Sequence, residues 1–226
     1  MRSTVSSGKK PKTVKESRFF QDFVKITGSL PGLIWMRPKL YYVGDKKKCR
    51  VKKGVLIAPN HSSFFDPVMV YCTFWWRRLN FLVTKDLYKN EFFSWMITTV
   101  GCIQVDKENF SIQSMHAVVD RLKAGKAVVI FPEGQVNFRE QSKEYKSGAV
   151  LMAKLAGVPI QPVHIVPGRK WYQRRVALIG EPIDISNMCS RFPTVDELQK
   201  VSDYIRSQEL ALAEYYQTIQ KERSKK

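Results

Sequence analysis

The sequence predicts a single α/β domain, a mixed, largely parallel sheet flanked by helices, with an amphipathic membrane-associating segment in front of it. Three observations lead there. Short β-prone apolar runs alternate with stretches whose apolar residues recur at helical spacing. A chain of 226 residues forms one well-sized core without needing a second domain. Hydrophobic residues make up 44% and aromatics 12%, which excludes global disorder.

Residues 1–16 are rich in Ser, Lys and Thr and are expected to be a basic disordered tail. Residues 17–37 differ. Phe19, Phe20, Phe23, Val24 and Ile26 gather on one helical face, the run breaks at Ser29-Leu30-Pro31-Gly32, and it resumes as Leu33-Ile34-Trp35-Met36. Two short apolar pieces around a Pro-Gly turn, behind a lysine-rich tail, suit an interfacial membrane anchor. A helix packed on the domain is the alternative. Residues 38–226 hold the domain itself. Strands are expected at 39–44, 55–59, 79–84, 102–105, 127–131, 160–166 and 175–180, and helices at 66–75, 91–99, 109–124, 144–157 and 195–221. The helix over 109–124 carries Ile112, Met115, Val119 and Leu122 on one stripe and stops at Gly125. His116 beside that stripe reads as a surface histidine, and His164 inside a strand as a packed one.

The formal net charge of +18 predicts a polyanionic partner, either an anionic membrane surface or nucleic acid. The cations cluster in the two tails, in Lys46–Lys53 (KKKCRVKK), and in Arg169, Lys170, Arg174 and Arg175 around Trp171 and Tyr172. Amphipathic rings beside cations suit a headgroup interface, and they also suit single-stranded nucleic acid. Cys49, Cys72, Cys102 and Cys189 are scattered without ligand spacing, so they read as reduced thiols and no metal site is expected. The N-terminus lacks an apolar signal region, and no run of about 18 apolar residues offers a transmembrane helix.

The stretch VLIAPNHSSFFDP, residues 55–67, carries the chemistry. A strand ends at Asn60-His61, and Asp66-Pro67 opens a helix. A carboxylate five positions after a histidine can hold the imidazole at a sheet edge as a general base, orienting the ring and stabilising the imidazolium. Asp66 before Pro67 is equally what a plain helix cap presents. A second strand, Ala127–Phe131, runs into Pro132-Glu133-Gly134, which brings a carboxylate and a permissive backbone position to a strand end. Its plain alternative is a turn with an exposed acid.

In order along residues 38–185, Asn60-His61-x4-Asp66, Gly101–Lys107 (GCIQVDK), Phe131–Gly134 and Val158–Val163 (VPIQPV) resemble the glycerolipid acyltransferase family, the lysophosphatidate and glycerol-3-phosphate acyltransferase group. Lys146-Ser147-Gly148-Ala149 is similar to the helix start that follows the glutamate block. The resemblance implies transfer of a fatty acyl group from a thioester, of acyl-carrier protein or of coenzyme A, to a glycerolipid hydroxyl. It implies His61 as the base and Asp66 as its orienting acid, with Lys107, Glu133, Gly134 and Arg139 binding substrate. Oxyanion donors would come from backbone N–H groups in these turns. No metal, resident cofactor or covalent enzyme intermediate is implied. The family usually has arginine where Lys107 stands, and threonine and arginine where Gln135 and Val136 stand; Arg139, Lys143 or Lys146 would supply the missing cation.

The first functional expectation is therefore a monotopic enzyme of phospholipid biosynthesis on the cytoplasmic face of the cell membrane, acylating a lysophospholipid, with 1-acyl-glycerol-3-phosphate as the leading acceptor. The second keeps the chemistry and changes the acceptor to one without phosphate. The third is a non-enzymatic basic protein binding membrane or nucleic acid, but no nucleic-acid motif is present and nucleic acid is not expected as a partner.

Overall fold

The computed structural model describes residues 18–84, 91–105, 111–134, 144–167 and 174–225. Seven strands form one sheet: β1 (Lys39–Tyr42), β2 (Val55–Pro59), β3 (Leu79–Thr84), β4 (Ile103–Val105), β5 (Ala127–Val129), β6 (Ile160–Val166) and β7 (Val176–Ile179). Their order is β1-β7-β6-β2-β5-β3-β4. Neighbours pair in parallel except β6 with β7, so β7 and β1 run against the other five. The sheet is mixed and largely parallel, as the alternation of elements predicts.

Helices cover both faces: α1 (Arg18–Met36), α2 (Lys46–Cys49), α3 (Asp66–Thr73), α4 (Glu91–Thr99), α5 (Ile112–Lys123), α6 (Gly148–Ala156) and α7 (Val195–Ser224). All five residues of β2 are buried, which explains its unbroken apolar sequence: a central parallel strand has no solvent side. Its side chains alternate between two cores. Leu56 and Ala58 meet Val118, Leu122, Val150 and Val201 from α5, α6 and α7. Val55 and Ile57 meet Met36 of α1, Met69 and Val70 of α3, and Phe74 at the C-terminal cap of α3. Burying one such aliphatic side chain stabilises by about 1.5–3 kcal/mol, so β2 is the anchor of the sheet.

The N-terminal segment departs from expectation. It does not break at Pro31-Gly32; one helix runs through to Met36. A proline inside a helix removes one i→i−4 hydrogen bond, and here both flanks are held by tertiary contacts. Gln21 donates to the carbonyl of Val100 at 2.8 Å, Asp22 pairs with Arg78, and Met36 is buried. The helix has two faces. One packs against α3, while Phe19, Phe23, Ile26, Ile34 and Trp35 stay exposed. No helix among the described residues is long and apolar enough to cross a membrane.

Smaller differences have local causes. Lys46–Cys49 forms a helical turn because the Asp45 carboxylate accepts from the amide of Lys47. β5 ends at Val129, two residues short of expectation. The Ile130 amide still reaches the carbonyl of Ile57, but Pro132 has no N–H to continue the ladder. α7 runs three residues past expectation from a capping box, Thr194 with Glu197. The four cysteines form no disulfide, and burial raises the pKa of the Cys49 thiol to about 11.

Candidate active site

β2 and β5 lie side by side in parallel, with Val55 opposite Ala127 and Ile57 opposite Val129. Carried four residues past the last of these, the same register sets His61 against Glu133. The amide of His61 donates to Glu133 Oε1 at 2.9 Å, and the imidazole stacks on Phe131 with centroids 4.1 Å apart. The two motifs separated by seventy-odd residues thus meet because their strands are neighbours. Asn60 ties the same strand end to β6: its Nδ2 donates to the carbonyl of Ile165 at 3.0 Å and its Oδ1 accepts the Ile165 amide at 2.7 Å.

Asp66 completes the pair. His61 Nδ1 lies 3.1 Å from Asp66 Oδ2, which also accepts the amides of Ser62 and Ser63 at 2.7 Å each. One oxygen therefore gathers the turn and the ring together. The helix-cap alternative fails on geometry. Phe65 occupies the cap position, Asp66 is the first helical residue, and its carboxylate points back to the turn instead of capping the first amides of α3. The Asp66 carboxylate is almost wholly buried and the His61 ring is 14% exposed. This arrangement selects the tautomer with the proton on Nδ1 and leaves Nε2 with a lone pair.

Three backbone N–H groups at this edge are engaged: the amides of His61, Ser62 and Ser63 already donate to carboxylates. The amide of Gly134 is likewise engaged, by the carbonyl of Phe131.

Glu133 is buried, so the plain reading of an exposed turn acid does not hold. Desolvation raises its pKa above the ordinary carboxylate value, partly offset by the His61 amide. The sign of the linkage follows. A carboxyl that binds its proton more tightly when folded stabilises the fold at low pH, and that contribution is lost as pH rises from about 4.5 through the raised value. Glu133→Gln keeps an acceptor for the His61 amide and removes the buried charge. Its melting temperature should exceed the wild-type value at neutral pH, with the gap closing toward pH 4.5. A gap that does not change with pH would show that the carboxyl carries no desolvation cost.

Gly134 adopts φ +71°, the left-handed region that favours glycine. A Cβ there would also come within 3.1 Å of Lys146 Cε and Nζ. The ammonium of Lys146 therefore lies over the glycine, at the same edge as His61. Sequence reading named Lys146 as one of three substitutes for the missing arginine; the other two, Arg139 and Lys143, lie outside the described residues, as do Lys107, Gln135 and Val136.

Sequence reading missed a second histidine–carboxylate pair. His164 on β6 is hydrogen-bonded through Nδ1 to Glu209 of α7. The phenol of Tyr145 packs into the same buried group, its pKa raised well above ordinary by burial and by Glu209 and Glu133. This group lies behind Glu133 and joins α7 to the edge that holds His61. A buried acid in mid-helix facing a strand histidine is the signal, but it appears only when α7 is aligned on β6.

The Acyltransferase family model matches residues 41–166, more than half of the chain. The chain is 29% identical over 185 residues to the 1-acyl-sn-glycerol-3-phosphate acyltransferase of Streptococcus pneumoniae, covering 78% of this chain and 67% of that protein. It is 23% identical over 191 residues to the enzyme of the same name from Bacillus subtilis, covering 82% and 91%. The crystal structure of the 1-acyl-sn-glycerophosphate acyltransferase from Thermotoga maritima superposes with a TM-score of 0.64 at 18% identity, over 87% of this chain and 79% of that one. The fold is the same, the matched segment contains His61, Asp66 and Glu133, and the chain belongs to the Acyltransferase family.

Proposed function

We propose that the protein transfers a fatty acyl group from an acyl thioester to the free hydroxyl of 1-acyl-glycerol-3-phosphate, giving phosphatidic acid. The observation that carries this reading is the His61 Nδ1–Asp66 Oδ2 contact of 3.1 Å at the carboxyl edge of β2. His61 Nε2 takes the proton of the acceptor hydroxyl as its oxygen attacks the thioester carbonyl. The tetrahedral intermediate then collapses, the C–S bond breaks, and the thiolate leaves with the proton that the imidazolium returns. Asp66 holds the ring and stabilises its transient charge. Lys146 offers a cation for the acceptor phosphate close to Gly134. The thioester is an acyl-carrier protein or coenzyme A derivative, and no resident cofactor enters the scheme.

Both substrates carry long acyl chains, and the exposed apolar side chains of α1 support a peripheral position on the cytoplasmic face of the membrane. Trp35 packs edge-on against Phe65 at 5.3 Å, and Phe64 is 73% exposed, so this apolar face continues into the turn between His61 and Asp66. A second reading keeps the chemistry and changes the acceptor to one without phosphate. Gln135 and Val136, in place of the family's usual threonine and arginine, favour it. Mass spectrometry of products from a matrix of lysolipid acceptors and thioester donors tests both. Phosphatidic acid from 1-acyl-glycerol-3-phosphate is the expected product. Acylation confined to acceptors without phosphate would replace the first reading by the second.

A further inference from the structure

The Lys46–Lys53 cluster takes no part in the edge that holds His61. It lies at the opposite edge of the sheet, where β2, β3 and β5 begin. A cleft of about 1360 Å³ opens there, lined by the cations Lys47, Arg50, Lys52, Arg77, Arg78 and Lys126, and among the described residues no acidic side chain lines it. The length of β2 separates it from His61, roughly 17 Å at the usual rise per residue. It is therefore distinct from the site where acceptor and thioester meet.

Arg77 builds this cleft. Its Nη1 donates to the carbonyls of Val51 and Lys53 at 2.6 and 2.9 Å, and its Nη2 to that of Gly125 at 3.2 Å. One guanidinium thus ties the basic loop to the turn before β5. Burial lowers its pKa. A guanidinium has five N–H groups, and three carbonyls leave donors for a further acceptor. Arg78 contributes less, since Asp22 takes it in two bonds of 2.9 and 2.6 Å.

The rim is amphipathic. Trp76 lines the cleft beneath the guanidinium of Arg50, at 4.5 Å. Neighbouring Trp75 is 54% exposed, and the first turns of α1, which supply Gln21 to the lining, also expose Phe19 and Phe23. Cations beside solvent-facing aromatic rings match the headgroup layer of a bilayer, where phosphates adjoin hydrocarbon. An acidic protein would satisfy the charges and leave the rings in water.

We propose that this cleft is a second lipid site, one that takes the phosphate headgroup of an anionic phospholipid and holds the foot of α1 on the bilayer. It rests on the membrane-associated reading above, and it makes α1 a strut attached at both ends: by the cleft at Gln21, and by Trp35 and Phe65 near His61.

Vesicle co-sedimentation of the full chain tests it, with phosphatidylcholine vesicles compared to vesicles that also contain phosphatidylglycerol. The double variant Lys47→Ala/Lys52→Ala should bind the anionic vesicles about thirtyfold more weakly, since each cation near such a surface contributes about 1 kcal/mol. Arg50→Ala should weaken binding in the same direction, and circular dichroism melts establish that each variant folds. The tail variant Lys221→Ala/Arg223→Ala removes the same charge elsewhere and should lose much less. An equal loss in the tail variant overturns the site in favour of general charge attraction. Unchanged vesicle binding in the cleft variants, with loss of calorimetric binding of inorganic phosphate, overturns it in favour of a small soluble anion. Unchanged vesicle binding with a raised KM for acyl-carrier protein overturns it in favour of an acidic protein partner. If the wild type ignores anionic vesicles, the membrane reading itself fails, which separates that failure from failure of the cleft alone.

Discussion

Replacing His61 with alanine should abolish measurable acyl transfer from a long-chain thioester, a loss of at least a hundredfold and up to about ten-thousandfold in turnover. An alcohol is a poor nucleophile until a base takes its proton, and His61 is the histidine that lies on Asp66 at this edge. The fold should survive. The ring is held by the stack on Phe131 and by one bond to Asp66, while the turn is held by backbone amides that alanine retains. Initial rates with 1-acyl-glycerol-3-phosphate, together with a thermal melt, check both halves. A folded variant with undiminished turnover would remove His61 from the mechanism.

Asp66→Asn is expected to be nearly as damaging to turnover, by about a thousandfold or more, while changing KM little. Oδ2 of the wild type accepts from Ser62, Ser63 and the imidazole together. An amide oxygen can still serve the two backbone donors, but it has no charge to stabilise the imidazolium. If the side chain turns its NH2 toward the ring, the proton moves to Nε2 and the base is lost. Stability should fall by about 0.3–1 kcal/mol, the usual worth of an acid in the first turn of a helix. Asp66→Ala should cost more, about 1–3 kcal/mol for each amide left unsatisfied. Kinetics beside denaturant melts of the two variants separate the roles. A drop in KM-controlled affinity with intact turnover would make Asp66 a binding residue instead of an orienting one.

Much of this geometry was legible because it depends on local pattern. The unbroken apolar run of β2 and the polar turn after it mark a strand and its carboxyl end, and the strand forms over those residues; its central place in the sheet comes only with the topology. Gly134 was legible as a permissive position and does adopt a positive φ. What escaped depends on distant partners. Pro31 reads as a helix breaker when only its neighbours are considered, whereas Gln21, Asp22 and Met36 hold the helix through contacts with other elements. Asp66 beside Pro67 fits a cap in sequence, and the direction its carboxylate turns is decided by the two serine amides and His61. His164 with Glu209 needs α7 laid against β6, and the basic cleft needs three strand starts brought together. Neither has a local signature.

The shared register of β2 and β5 has a consequence for how such a protein can vary. His61 and Glu133 meet through two adjacent strands and the turns that leave them. Beyond α3, which carries Asp66, the chain runs through β3, α4, β4 and α5 before it returns to β5. β3 and β4 sit outboard of β5, away from the β2–β6 side. That excursion can therefore be lengthened, shortened or exchanged without shifting the histidine relative to the glutamate. Slipping β5 by a single residue would instead turn Glu133 away from the histidine amide. Chimaeras that exchange the outboard excursion are the natural route to new acceptors, and the central strand pair with α3 is the part to leave intact.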